Sequence, residues 1–304
     1  MNCLFLSTMA TILITGGTGL IGKELTKKLT NRGHVVNILS RNPKKNNEFR
    51  WSLKENFIDK DAFTNVSHII HLAGAGIADK RWTNERKQEL IDSRVKTASL
   101  LFNKIQEYKT PLKAFISASA IGYYGAITSD EIFTEEDDPE NDFISKVCVK
   151  WENEAHKFEH LDVSVTILRT GIVLTKSDGA LQKMNTPLFL SSLGSGKQYM
   201  PWIHIDDLCS LYIKAVEDKK FTGIFNAVAP EHQTNENFTK TLATTLKKPL
   251  FPFNVPSFVL KTVLGEMAYV LLNGSRVSAK KVSKSYSFNF PDLQSALNNI
   301  YNGK

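Results

Sequence analysis

Cysteine is scarce in this chain: only Cys3, Cys148 and Cys209 occur among 304 residues, and no two form a C-x-x-C pair. An odd, widely spaced set argues against a disulfide framework and offers no zinc spacing, so the expectation is a reducing, cytoplasmic setting and no metal site. Long apolar runs are also missing. None approaches the ~20 residues of a membrane span, and no membrane partner is expected. The opening Met1-Asn2-Cys3-Leu4-Phe5-Leu6-Ser7 mimics a secretory leader but lacks the basic start that leaders carry. Residues 1–8 are read as a disordered extension, with Met9 an alternative start. Acid falls short of base, 31 Asp and Glu against 38 Lys and Arg, for a net charge of +7. The lysines alternate with acids, and the densest basic stretch is only Arg276 to Lys284. This reads as a solvated surface that attracts small anions, with no nucleic-acid partner.

What is present begins with glycine. Thr15-Gly16-Gly17-Thr18-Gly19-Leu20-Ile21-Gly22 follows the apolar run Ile12-Leu13-Ile14 and opens a pattern with Leu20, Ile21, Leu25 and Leu29 on one helical face. Strand, glycine turn and helix in that order is the context of a dinucleotide fingerprint. In G-x-G-x-x-G the glycines permit a tight turn, a close pyrophosphate and close helix packing, while the helix N-terminus favours phosphate charge. A second strand over 35–39 completes a parallel β-α-β unit. It ends in Ser40-Arg41 where a free ribose 2′-OH would call for an acid. Hydroxyl followed by guanidinium suits a 2′-phosphate, so the expected cofactor is NADP, with NAD the lesser alternative.

Further candidates lie along the next elements. Leu72-Ala73-Gly74 ends an apolar strand in small residues that let a cofactor pass. His68 and His71, in or beside that strand, are read as structural. Residues 85–108 have the longest helical periodicity, with Arg94 inside the apolar stripe. A buried carboxylate partner and an anionic ligand are both open readings for Arg94. Ser117, Ser119 and Tyr123 follow a strand end where open α/β sheets bind ligands. Residues 143–158 form a helix, and Arg169 and Gly171 close the next strand. Pro249, Pro252 and Pro256 break the chain before an apolar helix over 259–272.

These segments resemble the extended and atypical short-chain dehydrogenases/reductases. More closely, they resemble the epimerase-family branch, nucleoside-diphosphate-sugar epimerase-like, which has its own C-terminal extension. The resemblance rests on the glycine turn, Arg81-Trp82-Thr83, Ser93-Arg94, Ser117 to Gly125, Trp151-Glu152, Leu168 to Leu174, Gly196 to Asp207 and Leu264-Gly265-Glu266-Met267-Ala268. It implies an α/β fold, a Rossmann-type doubly wound parallel sheet with a smaller C-terminal substrate lobe. The expected division is 9–175 for the NADP-binding domain and 176–304 for the lobe and extension, parts of which could return to the sheet. The implied cofactor set is Gly16, Gly17, Thr18, Gly19, Leu20, Ile21, Gly22, Ser40, Arg41, Leu72, Ala73, Gly74, Arg94, Ser117, Arg169 and Gly171. Arg81, Trp82 and Trp202 are expected to meet a small-molecule substrate, a sugar nucleotide or small carbonyl.

Active members of the superfamily place Tyr and Lys four residues apart on one helix, beside a Ser or Thr. The tyrosine moves a proton as hydride moves, and the lysine lowers its pKa. Aligning Glu152 with the family's helix glutamate puts Ile144 and Cys148 at those positions. Ile144, Val147, Cys148, Trp151, Ala155 and Phe158 form one apolar stripe, so the pair faces inward without acid or base. Ser119 remains, with Tyr123 a displaced proton donor or a packing residue. Two functions stay open: an NADP-dependent oxidoreductase or epimerase, and a non-catalytic NADP sensor or scaffold. The helices over 85–108 and 143–158 could build a homodimer face.

Overall fold

The computed structural model describes residues 9–303, so the expectations for residues 1–8 lie outside it. Strand β1, Thr11–Thr15, sits at the centre of the sheet with Ile12, Leu13 and Ile14 fully buried. A parallel strand covered on both faces reads as such a continuous apolar run. Helix α1, Leu20–Asn31, buries Gly22, Leu25 and Leu29. Then come β2 (Val35–Ser40), β3 (Glu48–Ser52), β4 (Phe57–Ile58) and β5 (Val66–His71). Helix α2, Asn84–Tyr108, is capped by the Thr83 side chain, which accepts from the Arg86 N–H, and ends at Lys109 in a left-handed conformation.

Strand β6 (Ala114–Ala120), β7 (Ile132–Phe133), α3 (Phe143–His156), β8 (Ser164–Thr170) and β9 (Ile172–Leu174) follow. The main sheet runs β11-β8-β6-β5-β1-β2-β3-β4, parallel except for the β3–β4 pair. This is the Rossmann-like α/β fold. Strand β11, Gly223–Ala227, comes from beyond residue 175 and pairs with β8. Helix α5, Ile205–Glu217, which precedes it, packs on α1.

The rest of the chain builds a second core. Helix α4 (Ala180–Met184), β10 (Trp202–His204), α6 (Asn235–Leu246) and α10 (Leu293–Asn302) bury Leu181, Trp202, Phe238, Leu242 and Leu297 together. The apolar stretch over 259–272 is not one helix. Gly265, at φ +62°, divides it into α7 (Ser257–Leu264) and α8 (Ala268–Leu272). Strands β3 and β4 escape the sequence reading because they are short, β4 being only Phe57–Ile58. Strand β12 (Arg276–Val277) pairs with β7, and a short α9 (Lys280–Ser283) follows. No described helix is long and apolar enough to cross a membrane.

Candidate functional site

The glycine turn is close-packed from both sides. Gly16 has φ +69°, and a Cβ there would lie 2.9 Å from the Leu72 carbonyl carbon. A Cβ on Gly22 would lie 2.4 Å from the Gly16 carbonyl oxygen, so only glycine lets α1 start directly on the turn. Gly19 caps α1 without a side-chain bond, and the first turn holds no acid. Its N–H groups are therefore free for an anion. Both faces fit a dinucleotide pyrophosphate.

The turn opens into a groove of about 1440 Å³. Ser40 and Arg41 lie on its wall, as do Leu72, Ala73 and Gly74. Lys23, Lys27, Lys44 and Lys45 also line it, and with Arg41 they have no carboxylate partner among the described residues. The opposite wall carries Arg86, which sequence reasoning passed over. Its guanidinium is buried, donates to Glu89 and to the Gly76 carbonyl at 2.6 Å each, and leaves Nε unpartnered. A second arginine one helical stripe from Arg94 was the available signal.

Thr15 fixes the groove's inner wall. Its hydroxyl accepts from the N–H groups of Leu72 and Ala73 at 3.2 and 3.1 Å, which leaves its hydrogen for His71 Nδ1 at 2.8 Å. Burial pushes the imidazole down to about 4, so His71 is neutral at pH 7. Arg94 has no carboxylate partner among the described residues and does not line the groove. It donates to the carbonyls of Leu90 at 2.9 Å and Ala75 at 3.0 Å and stacks on Trp151. Burial lowers it to about 10, which leaves it charged. Its role is to hold the 73–76 loop against the groove.

At the end of β6, Ser119 is buried and donates to Glu152 Oε1 at 2.6 Å. Glu152 also takes both the Nε and Nη2 hydrogens of Arg169, at 2.9 and 2.8 Å. Arg169 Nη1 donates to the Tyr124 hydroxyl, which donates on to Asn226. Burial pulls Arg169 down, but the Glu152 bond and charge outweigh it and hold the guanidinium above its ordinary value. The expectation that Arg169 binds cofactor is corrected: the side chain is spent on this internal network. Ser117 is corrected likewise, since it is buried and donates to the Ala118 carbonyl. Glycine at 171 lets the chain pass the Pro201 carbonyl, 2.7 Å from where its Cβ would sit.

Tyr123 is half-buried, with the Arg169 guanidinium 3.3 Å from its ring centre. Ile144 and Cys148 face the turn that carries it. A Cβ on Gly122 would lie 2.5 Å from Ile144 Cγ2 and 3.6 Å from Cys148 Sγ. Burial raises the thiol to about 12. Glu152 is the residue the sequence reading undervalued. A buried arginine at a strand end demands an acid, and Glu152 lies on the inward face of the neighbouring helix.

On the substrate side, Trp82 donates to the Ile77 carbonyl and meets Phe143 edge-on at 5.1 Å. Arg81 packs over Gly265, and Lys87 pairs with Glu266. Thus the Gly265-Glu266 turn between α7 and α8 rests on Arg81 and on the first turn of α2. Trp202 is corrected: it is fully buried in the second core and walls no cleft. His204 caps α5, its Nδ1 accepting from the Asp206 N–H.

Two family models match the chain. One, described as the NAD dependent epimerase/dehydratase family, covers residues 12–227, and a domain of unknown function, DUF1731, covers 255–300. Epimerase family protein SDR39U1 from Mus musculus is 34% identical over 298 residues, 95% of this chain and 99% of that protein. Epimerase family protein YfhF from Bacillus subtilis (strain 168) is also 34% identical, over 95% of this chain and 97% of its own. The crystal structure of human epimerase family protein SDR39U1 (isoform2) with NADPH superposes with a TM-score of 0.85 at 30% identity, covering 97% of this chain and all of that one.

Proposed function

The chain belongs to the NAD-dependent epimerase/dehydratase family, and from that premise we propose that it binds NADP(H) as a sensor or scaffold, without the tyrosine–lysine proton relay of active relatives. The observation that carries this reading is that Ile144 and Cys148, which the alignment on Glu152 puts at the relay's positions, pack against Gly122 with no acid or base. The human relative bound NADPH, and the groove here suits the same ligand. The first turn of α1 would take the pyrophosphate. Ser40 and Arg41, with Lys44 and Lys45 beside them, would take the 2′-phosphate. A bound nicotinamide supplies hydride transfer, but the chain offers little to move the matching proton. Ser119 gives its hydrogen to Glu152 and presents only lone pairs. Cys148 stays a protonated thiol at neutral pH.

One observation favours the enzymatic reading: the Tyr123 hydroxyl makes no hydrogen bond among the described residues, so it is free for a sugar-nucleotide or small-carbonyl substrate. Calorimetry and turnover assays separate the two. Arg41→Ala should weaken NADPH on the order of tenfold and leave NADH nearly unchanged, because one charge-assisted contact is lost. Equal loss for both would refute the 2′-phosphate role. Turnover of any carbonyl or sugar nucleotide, abolished by Tyr123→Phe, would overturn the sensor reading.

A further inference from the structure

The C-terminal lobe carries an apolar face that nothing among the described residues covers. Helix α7 has no buried residue, although Phe258, Val259, Leu260, Val263 and Leu264 make up most of it. Phe253 and Phe258 are each 71% exposed, and Leu188 is 77% exposed. These residues are contiguous. Phe189 stacks on Phe251 at 4.8 Å, Phe251 meets Phe253 at 5.9 Å, and Ser191 donates to the Phe253 carbonyl. The start of α7 lies against the Gly194 turn. Exposed aromatic and aliphatic clusters of this kind mark interaction surfaces.

Charge identifies the occupant. The two segments that build the face, residues 179–205 and 237–265, contain no Asp or Glu, yet they contain six lysines. Lys183 and Lys240 pair with acids from outside those segments. Lys197, Lys247, Lys248 and Lys261 have no carboxylate partner among the described residues. A second copy meeting this face by two-fold symmetry would bring lysines against lysines, which opposes self-association. An uncovered apolar helix that carries Lys261, with Lys247 exposed at the end of α6, matches an interface of acyl chains beneath anionic headgroups.

We propose that this face docks on an anionic phospholipid surface, with Phe253 and Phe258 entering the headgroup boundary and the exposed Lys247 and Lys261 meeting phosphates. The contact is peripheral and reversible, not a span.

The test is co-sedimentation of the full chain with vesicles of phosphatidylcholine alone and of phosphatidylcholine mixed with phosphatidylglycerol. Binding should appear on the mixed vesicles, weaken with added salt, and fall on the order of tenfold or more in the Phe253→Ser/Phe258→Ser double variant. Both positions are solvent-exposed, so NADPH affinity should be unchanged in that variant and certifies its fold. Lys247→Gln/Lys261→Gln should weaken binding to the mixed vesicles as well. Failure to bind mixed vesicles, binding that ignores lipid charge, or a dimer in light scattering that Phe253→Ser dissolves would each overturn the proposal.

Discussion

His71 stands between two hydroxyls, Thr15 and Thr97, and its protonation state decides whether both are satisfied. The neutral ring accepts the Thr15 hydroxyl hydrogen at Nδ1, while Thr97 lies 3.4 Å from Nε2. A proton on Nδ1 would meet that hydroxyl hydrogen head-on and release the bonds that hold Leu72 and Ala73. The ordinary value of 6.5 applies to the unfolded chain, and the folded value is about 4. Between those values the unfolded chain binds a proton that the folded chain does not. The stability in question is therefore complete above pH 6.5 and is lost as pH falls toward 4, on the order of 3 kcal/mol. Thermal denaturation from pH 7 to 4 should show that loss, and His71→Gln should flatten the profile. His68, also lowered to about 4, acts in the same direction and leaves a residual slope.

Helix α1 shows how an element's position can depend on a missing side chain. Gly22→Ala should destabilise the fold by about 1–3 kcal/mol, because its Cβ would press on the Gly16 carbonyl and push the helix off the turn. NADPH affinity should fall with it, measurable by calorimetry alongside a denaturant curve. Gly33→Ala is the contrasting case at the far end of that helix. Nothing lies within 4 Å of its Cβ, so any cost there comes from φ +86° alone, with the turn undisturbed. This element was legible in the sequence because local chemistry fixes it: apolar strand, glycine spacing, helical stripe. The inward face of α3 was legible for the same reason. Arg169 and Trp202 were not. Both sit beside motif residues in sequence, but what surrounds them comes from elsewhere: Glu152 on α3 for one, Phe238 and Leu297 for the other. Periodicity reports which way a side chain faces, not what it meets. The return of β11 to the main sheet is likewise a long-range pairing that no local pattern announces.

At the scale of the whole molecule, the two halves divide the chemistry. The glycine-turn side carries the cationic groove, and the lobe beyond it carries the uncovered apolar face. The Gly265-Glu266 turn between α7 and α8 rests on Arg81 and Lys87, which ties the outer face to the loop that holds Trp82. The unpaired cations of the groove also govern time as well as affinity. Lys23, Lys27, Arg41, Lys44 and Lys45 project a positive field beyond contact distance, and a ligand with three phosphoryl groups is drawn along it before touching the protein. Stopped-flow mixing should therefore find an NADPH association rate that drops steeply between low salt and about 0.15 M, where the field reaches only about 8 Å. The dissociation rate should barely change. NADH, with less charge, should arrive more slowly at low salt and respond less to it. Selection between the two cofactors would then begin during their approach, before the Arg41 contact has formed.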